Sequence, residues 1–139
     1  ETFILQKVDA IVVAPTDSAS IAPVIADARA KGIPIFTADI AAHGADVVSH
    51  IASDNVEGGR VIGEYLMKLL GGKGKIAIID HPEAASVQER VKGFLEVVGK
   101  YPDVQLVGRV QGGGQRDKAL DHVVGVVAVA NHVLAAEDI

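Results

Sequence analysis

The sequence has no cysteine, and aromatic residues make up only 4% of its 139 residues. Without cysteine there is no disulfide framework and no thiolate chemistry, and either redox compartment remains open. With so few rings, the core has to be built from valine, isoleucine, leucine and alanine. That aliphatic, β-branched material suits a buried parallel sheet. Basic clusters are missing as well, and the net charge is −5. The basic face that neutralises phosphates is therefore absent, which argues against nucleic acid as a partner. The longest apolar stretch, Val123 to Ala130, falls far short of the roughly 20 residues a membrane-spanning helix needs. No signal peptide is visible: the chain opens in a helix-like segment, Glu1 to Lys7, without an initiating methionine. It reads as a piece of something longer.

Motifs of catalysis are also missing. Gly71-Gly72-Lys73-Gly74-Lys75 lacks the spacing of a phosphate loop and precedes a strand instead of opening a helix, so it reads as a turn. No G-x-G-x-x-G follows a strand, which leaves a dinucleotide without a site. His43, His50, His81, His122 and His132 show no metal-ligand spacing, and no metal or other cofactor is implied. His81 follows a strand end, where it either faces a cleft or lies in a surface loop. No G-x-S-x-G elbow occurs, the serines have no evident His–Asp partners, and no carboxylate pair stands out as acid and base. The expectation is a protein that is not an enzyme.

What is present is alternation. Hydrophobic residues form 49% of the chain, enough for one core in one domain or two small lobes. Asp9 to Ala14 predicts a strand. Ser18 to Lys31 predicts a helix with Ile21, Val24, Ile25 and Ala28 on one face and Gly32 as its stop. Ile33 to Thr37 and Val47 to Ala52 predict strands. Asn55 to Leu70 predicts a helix with Ile62, Tyr65, Leu66 and Leu69 inward, ending at Gly71-Gly72. Lys75 to Ile79 is a further strand. Ala84 to Val98 follows as a helix with Val91, Phe94, Leu95 and Val98 inward and Gly99 as its stop. Val104 to Val110 alternates except at Val107 and suits a sheet edge. Strand–helix alternation of this kind predicts parallel strands, right-handed crossovers and helices on both faces, an α/β three-layer αβα sandwich. Gln115 to Asp121 starts a helix, and Val123 to Ala130 is strand-like. The interval barely holds a crossover, so either that helix is very short or the whole tail is helical.

Polar residues recur where strands end: Thr16 and Asp17, Asp39, Ser53 to Asn55, Asp80 to Glu83, and Asn131. Each is a cap or turn residue or a ligand contact. Arg90 lies on the second turn of a helix that starts from such an edge. Together these groups offer the planar, charged hydrogen bonds that sort sugar hydroxyls. The run Val48 to Gly59 is the most informative of them. It reads as a strand turning straight into a helix, with Asp54 as N-cap and Glu57 at the reciprocal capping-box position.

The segments VDAIVVAPTDS (8–18), GIPIFTAD (32–39), VVSHIASDNVEGG (47–59), GKIAIID (74–80), ERVKGF (89–94) and QRDKAL (115–120) stand in this order. In that order they resemble the type I periplasmic sugar-binding proteins of ABC transporters, the ribose-binding group most of all. A weaker match, GVVAVANHVL (125–134), is similar to a later family strand. The resemblance implies two lobes joined by a hinge and closing over one sugar, here incomplete: residues 1–53 as a partial N-terminal lobe and 54–139 as a partial C-terminal lobe. It implies Asp39 and Ser53 as sugar contacts, with Arg90 and Asn131 reaching in from the second lobe. It also implies a periplasmic or otherwise extracytoplasmic, lipid-anchored location and handover of a ribose-like monosaccharide to a membrane permease.

The chain departs from the family at several places. Ala14 stands where relatives often carry Asn or Ser, and Ile40 replaces the Arg that commonly follows the Asp39 position. The family's first strand and helix, with sandwiching aromatics, have no counterpart, nor do the later strands that complete both lobes. Two further readings follow. A lac-repressor-type regulator shares the fold, but VSHIASDN and the lack of a Gly-His-Arg step before Ile76 favour the transporter protein. An incomplete fold also leaves sheet edges open, which invites self-association.

Overall fold

The computed structural model describes residues 1–121. Its elements run α1 (Thr2–Leu5), β1 (Ile11–Val13), α2 (Ala22–Ala30), β2 (Ile35–Ala38), β3 (Ser49–Ile51), α3 (Asn55–Leu70), β4 (Gly74–Asp80), α4 (Ala85–Val98) and β5 (Val104–Gln111). A helical segment follows at 116–121. The strands pair in parallel as two sheets, β1-β2-β3 and β4-β5. The first three strands are shorter at their ends than their apolar runs suggest, because a ladder extends only as far as its neighbour. The apolar run 123–130, Asn131, His122 and His132 lie outside the described residues.

The first core forms where α2 meets the first sheet. Ile25 and Ala28 bury against Ile4, Ile33 and Ile35, with Ile21 and Val24 packed alongside, which is the face expected from the 3.6-residue period. Gly32 ends this helix at φ +79 with its N–H on the carbonyl of Arg29 at 2.9 Å.

The second core corrects the expected face of α3. Of the stripe Ile62, Tyr65, Leu66 and Leu69, only Leu66 packs on the core; Ile62, Tyr65 and Leu69 are exposed. The buried residues are Asn55, Gly59, Gly63 and Met67, spaced by four. Their partner is α4, through Gly93, Val97 and Val98. A Cβ on Gly59 would collide with the Arg90 carbonyl, and one on Gly93 with the Val56 carbonyl. The two helices therefore touch backbone to backbone, an approach only small residues permit. Hydropathy periodicity misses this face because glycine carries almost no hydropathy.

α3 ends as expected, with Gly71 at φ +64 and the Gly72 N–H on Met67 O at 3.0 Å. α4 also stops at Gly99 as expected, but with φ −60 and not in the left-handed region. Instead the N–H groups of Lys100 and Tyr101 reach back three residues to Val97 and Val98, and Pro102 follows. In β5 the break in alternation at Val107 has a cause. Ile76 pairs with Leu106 and Ala77 with Gly108, so Val107 is a bulge.

Candidate functional site

In parallel sheets ligands gather at the carboxyl ends of strands, where loops and helix N-termini converge. A cleft of about 410 Å³ opens there, lined by Asp80, His81, Arg90, Gln115 and Arg116 among others. A larger hollow of about 590 Å³, lined by Val8, Asp9, Gly32 and Ile33, lies at the amino ends of β1 and β2. Lys7 and Lys31 also line it, but it lies at the opposite end of the strands from Asp39 and Arg90.

Asp39 follows β2 directly, and its backbone is unusual. Its φ is +63, its N–H donates to Ile51 O at 2.9 Å, and the Ile40 N–H closes onto Ala38 O at 2.7 Å. A three-residue turn with positive φ at a non-glycine costs on the order of 1–3 kcal/mol and persists only where its surroundings enforce it. Here β3 enforces it and turns the carboxylate outward. One Oδ1 of Asp39 stands 3.8 Å from an Nη of Arg90, with both side chains substantially exposed. Arg90 is on α4, and its Nε donates to Asn55 Oδ1 at 2.8 Å. Asn55 Nδ2 in turn donates to the Ser53 carbonyl at 3.1 Å.

Of the expected site residues, Asp39 and Arg90 are thus brought face to face, and Ser53 is linked to Arg90 through Asn55. Ser53 itself is exposed. Asp54 caps α3, accepting the Glu57 N–H at 2.9 Å. The Glu57 side chain does not complete a capping box; it pairs with Arg60 at 3.2 Å. Arg60 also reaches Glu96 of α4 at 2.9 Å, and these two carboxylates, Glu96 foremost, hold its pKa above the ordinary value. Asn131 lies outside the described residues.

Three further interactions were not legible in the sequence, although Asp17 and Asp80 stood among the polar residues at strand ends. Arg109 of β5 pairs with Asp80 at 2.6 Å, the carboxylate being almost wholly buried. The only sequence trace is a polar position near the end of an alternating strand. His50 Nδ1 and Thr37 Oγ1 lie 2.9 Å apart across β3 and β2. Asp17 accepts the N–H groups of Ala19 and Ser20 at 2.8 and 2.9 Å. Its pKa is lowered, first by the Ser20 side chain, then by these backbone bonds, with a smaller contribution from His81. His81 is half-buried and stands 3.4 Å from Glu83. Among the described residues, no cluster of three or more His, Asp or Glu could hold a metal ion, and no helix is long and apolar enough to cross a membrane.

Residues 1–136 match the family model described as a periplasmic binding protein domain. The chain belongs to this family. Among its periplasmic-binding-protein relatives are the xylitol-binding protein of Mycolicibacterium smegmatis, 34% identical over 122 residues, and the ribose import binding protein RbsB of Bacillus subtilis, 34% identical over 121. These alignments take in 87% and 86% of this chain but only 35% and 39% of the two relatives. Its fold is that of the type I periplasmic binding proteins. The Caulobacter myo-inositol binding protein, solved with myo-inositol, superposes with a TM-score of 0.85 at 26% identity, covering 94% of this chain and 45% of the other. The periplasmic component of the arabinose ABC transporter of Shewanella sp. ANA-3, solved with L-arabinofuranose, gives 0.84 at 32% identity over 94% and 44%.

Proposed function

We propose that this periplasmic binding protein domain takes a ribose-like monosaccharide or a small polyol in the cleft at the strand ends and passes it to an ABC transporter permease. The observation that carries this reading is the facing pair Asp39 and Arg90. A carboxylate and a guanidinium 3.8 Å apart are too far for a strong bond with each other. They are well placed to share a vicinal diol, the carboxylate accepting from one hydroxyl and the guanidinium donating to the next. Ser53 adds a contact beside them, and Asn131 completes the set. Residues 1–53 and 54–139 act as parts of two lobes that close about the 53–54 crossing. The work is done extracytoplasmically, by binding and closure, without chemistry on the sugar.

The names of the relatives support a neutral polyhydroxylated ligand of five or six carbons. Isothermal titration against D-ribose, L-arabinose, xylitol and myo-inositol tests it. Binding of at least one is expected, weakened about tenfold or more by Asp39→Asn or by Arg90→Gln. No heat and no thermal shift with the whole panel would reject the proposal. The exposed Ile62, Tyr65 and Leu69 on α3 further support association of the chain with itself. Sedimentation velocity reads this directly, and a monodisperse monomer at high concentration counts against it.

A further inference from the structure

We infer that Asn55 is a positioning residue for the sugar site, holding Arg90 and the Ser53 carbonyl in one fixed arrangement. The inference rests on the sugar-binding reading above for its functional consequence, and on geometry alone for the arrangement itself.

Asn55 is the first residue of α3, next to the cap position where an amide side chain commonly serves the helix terminus. That duty is already taken: Asp54 accepts the Glu57 N–H. Asn55 is instead 4% exposed, and both ends of its amide are used. Arg90 only donates, so the amide oxygen has to face it; the Ser53 carbonyl only accepts, so the NH₂ has to face that. The orientation of the amide is fixed by its partners. A buried amide with both ends matched is stable where it is and costly to turn.

The helix contact brings the pair within reach. Asn55, Gly59 and Gly63 share one face of α3, and Arg90, Gly93 and Val97 share the facing side of α4. Close approach at Gly59 and Gly93 sets the Asn55 amide against the root of the Arg90 guanidinium. With Nε engaged at 2.8 Å, the plane of the guanidinium is set and its Nη groups are left toward Asp39. A long arginine side chain loses much rotamer freedom when it binds a ligand; one already held loses less. The second amide bond ties the same unit to the backbone just before α3. Movement of the 53–54 crossing is thereby transmitted to the arginine.

Two readouts separate this role from a merely structural one. The first needs no sugar: in ¹H–¹⁵N spectra one arginine Nε–H, assigned by its loss in Arg90→Lys, is protected from exchange. It stays protected in Asn55→Asp, which keeps the acceptor, and loses protection in Asn55→Ala and Asn55→Ser. Absence of a protected Arg90 Nε–H in the unmodified protein overturns the arrangement, whether or not any sugar binds. The second is a double-mutant cycle on the affinity for whichever of D-ribose, L-arabinose, xylitol or myo-inositol binds. Asn55→Ala weakens binding about tenfold, Asn55→Asp about threefold or less, and Asn55→Ala has no further effect once Arg90 is Lys. Equal losses in both backgrounds overturn the positioning role. If Asn55→Ala does not fold, Asn55→Ser carries both measurements. If no sugar binds, the sugar reading fails and the exchange measurement still decides the arrangement.

Discussion

The hydroxyl of Ser18 lies 2.9 Å from the backbone nitrogen of Ala85 and caps α4 from a distance of 67 residues. The N-cap position of that helix is Ala84, whose side chain has nothing to offer. Ser18 also donates its N–H to Glu83 O at 2.9 Å and accepts the His43 N–H at 2.7 Å, and it is 2% exposed. One small residue after β1 thus fastens the loop of the first sheet to the helix that carries Arg90.

Ser18→Ala is expected to destabilise the fold by about 1–2 kcal/mol, because the Ala85 N–H is left buried without a partner. Urea unfolding measures it. A midpoint unchanged within error would show that the contact contributes nothing.

The helix pair gives a sharper contrast. Gly93→Ala places a methyl on the Val56 carbonyl and should cost about 3 kcal/mol or more by forcing α3 and α4 apart. Gly58→Ala meets nothing within 4 Å and should stabilise by up to about 1 kcal/mol through helix propensity. Thermal melts of the two variants should move in opposite directions.

Asp80 and Arg109 form a pair of unequal burial, 2% against 45% of the side chain. Removing the arginine strands a buried carboxylate, so Arg109→Met is expected to cost about 2 kcal/mol, tempered by the solvent around the guanidinium. Asp80→Asn in the same chain removes the stranded charge, and the double variant should lose less than the sum of the two singles. Strict additivity in denaturant titrations would refute the coupling.

Asp17 predicts a pH effect of defined sign. Its folded-state pKa lies below the ordinary 3.8 because the Ser20 hydroxyl and the Ser20 and Ala19 N–H groups favour the carboxylate. A lowered pKa stabilises the fold at pH above the unfolded value, and that contribution disappears as pH falls through the folded one. Acid unfolding below about pH 4 should therefore be less steep in Asp17→Asn. An NMR titration of the Asp17 carboxylate that ran above 3.8 would contradict the assignment.

The local periods of the chain determined a good deal by themselves. The 3.6-residue stripe of α2, the Gly32 and Gly71 stops and the Asp54 cap all depend on neighbours within a few residues, and all lie where the sequence put them. The position of Asp39 just past a strand end and of Arg90 on the second turn of a helix was legible for the same reason. What only the tertiary structure decided involves partners distant in sequence. Glycine has no hydropathy to betray a buried face, so the α3–α4 contact through Gly59 and Gly93 overrode the apolar stripe of Ile62, Tyr65 and Leu69. A serine hydroxyl or an asparagine amide looks alike in a turn, a cap or a core. Ser18 on Ala85 and Asn55 between Ser53 and Arg90 acquire their roles only when folding brings together groups that each need a matching donor or acceptor.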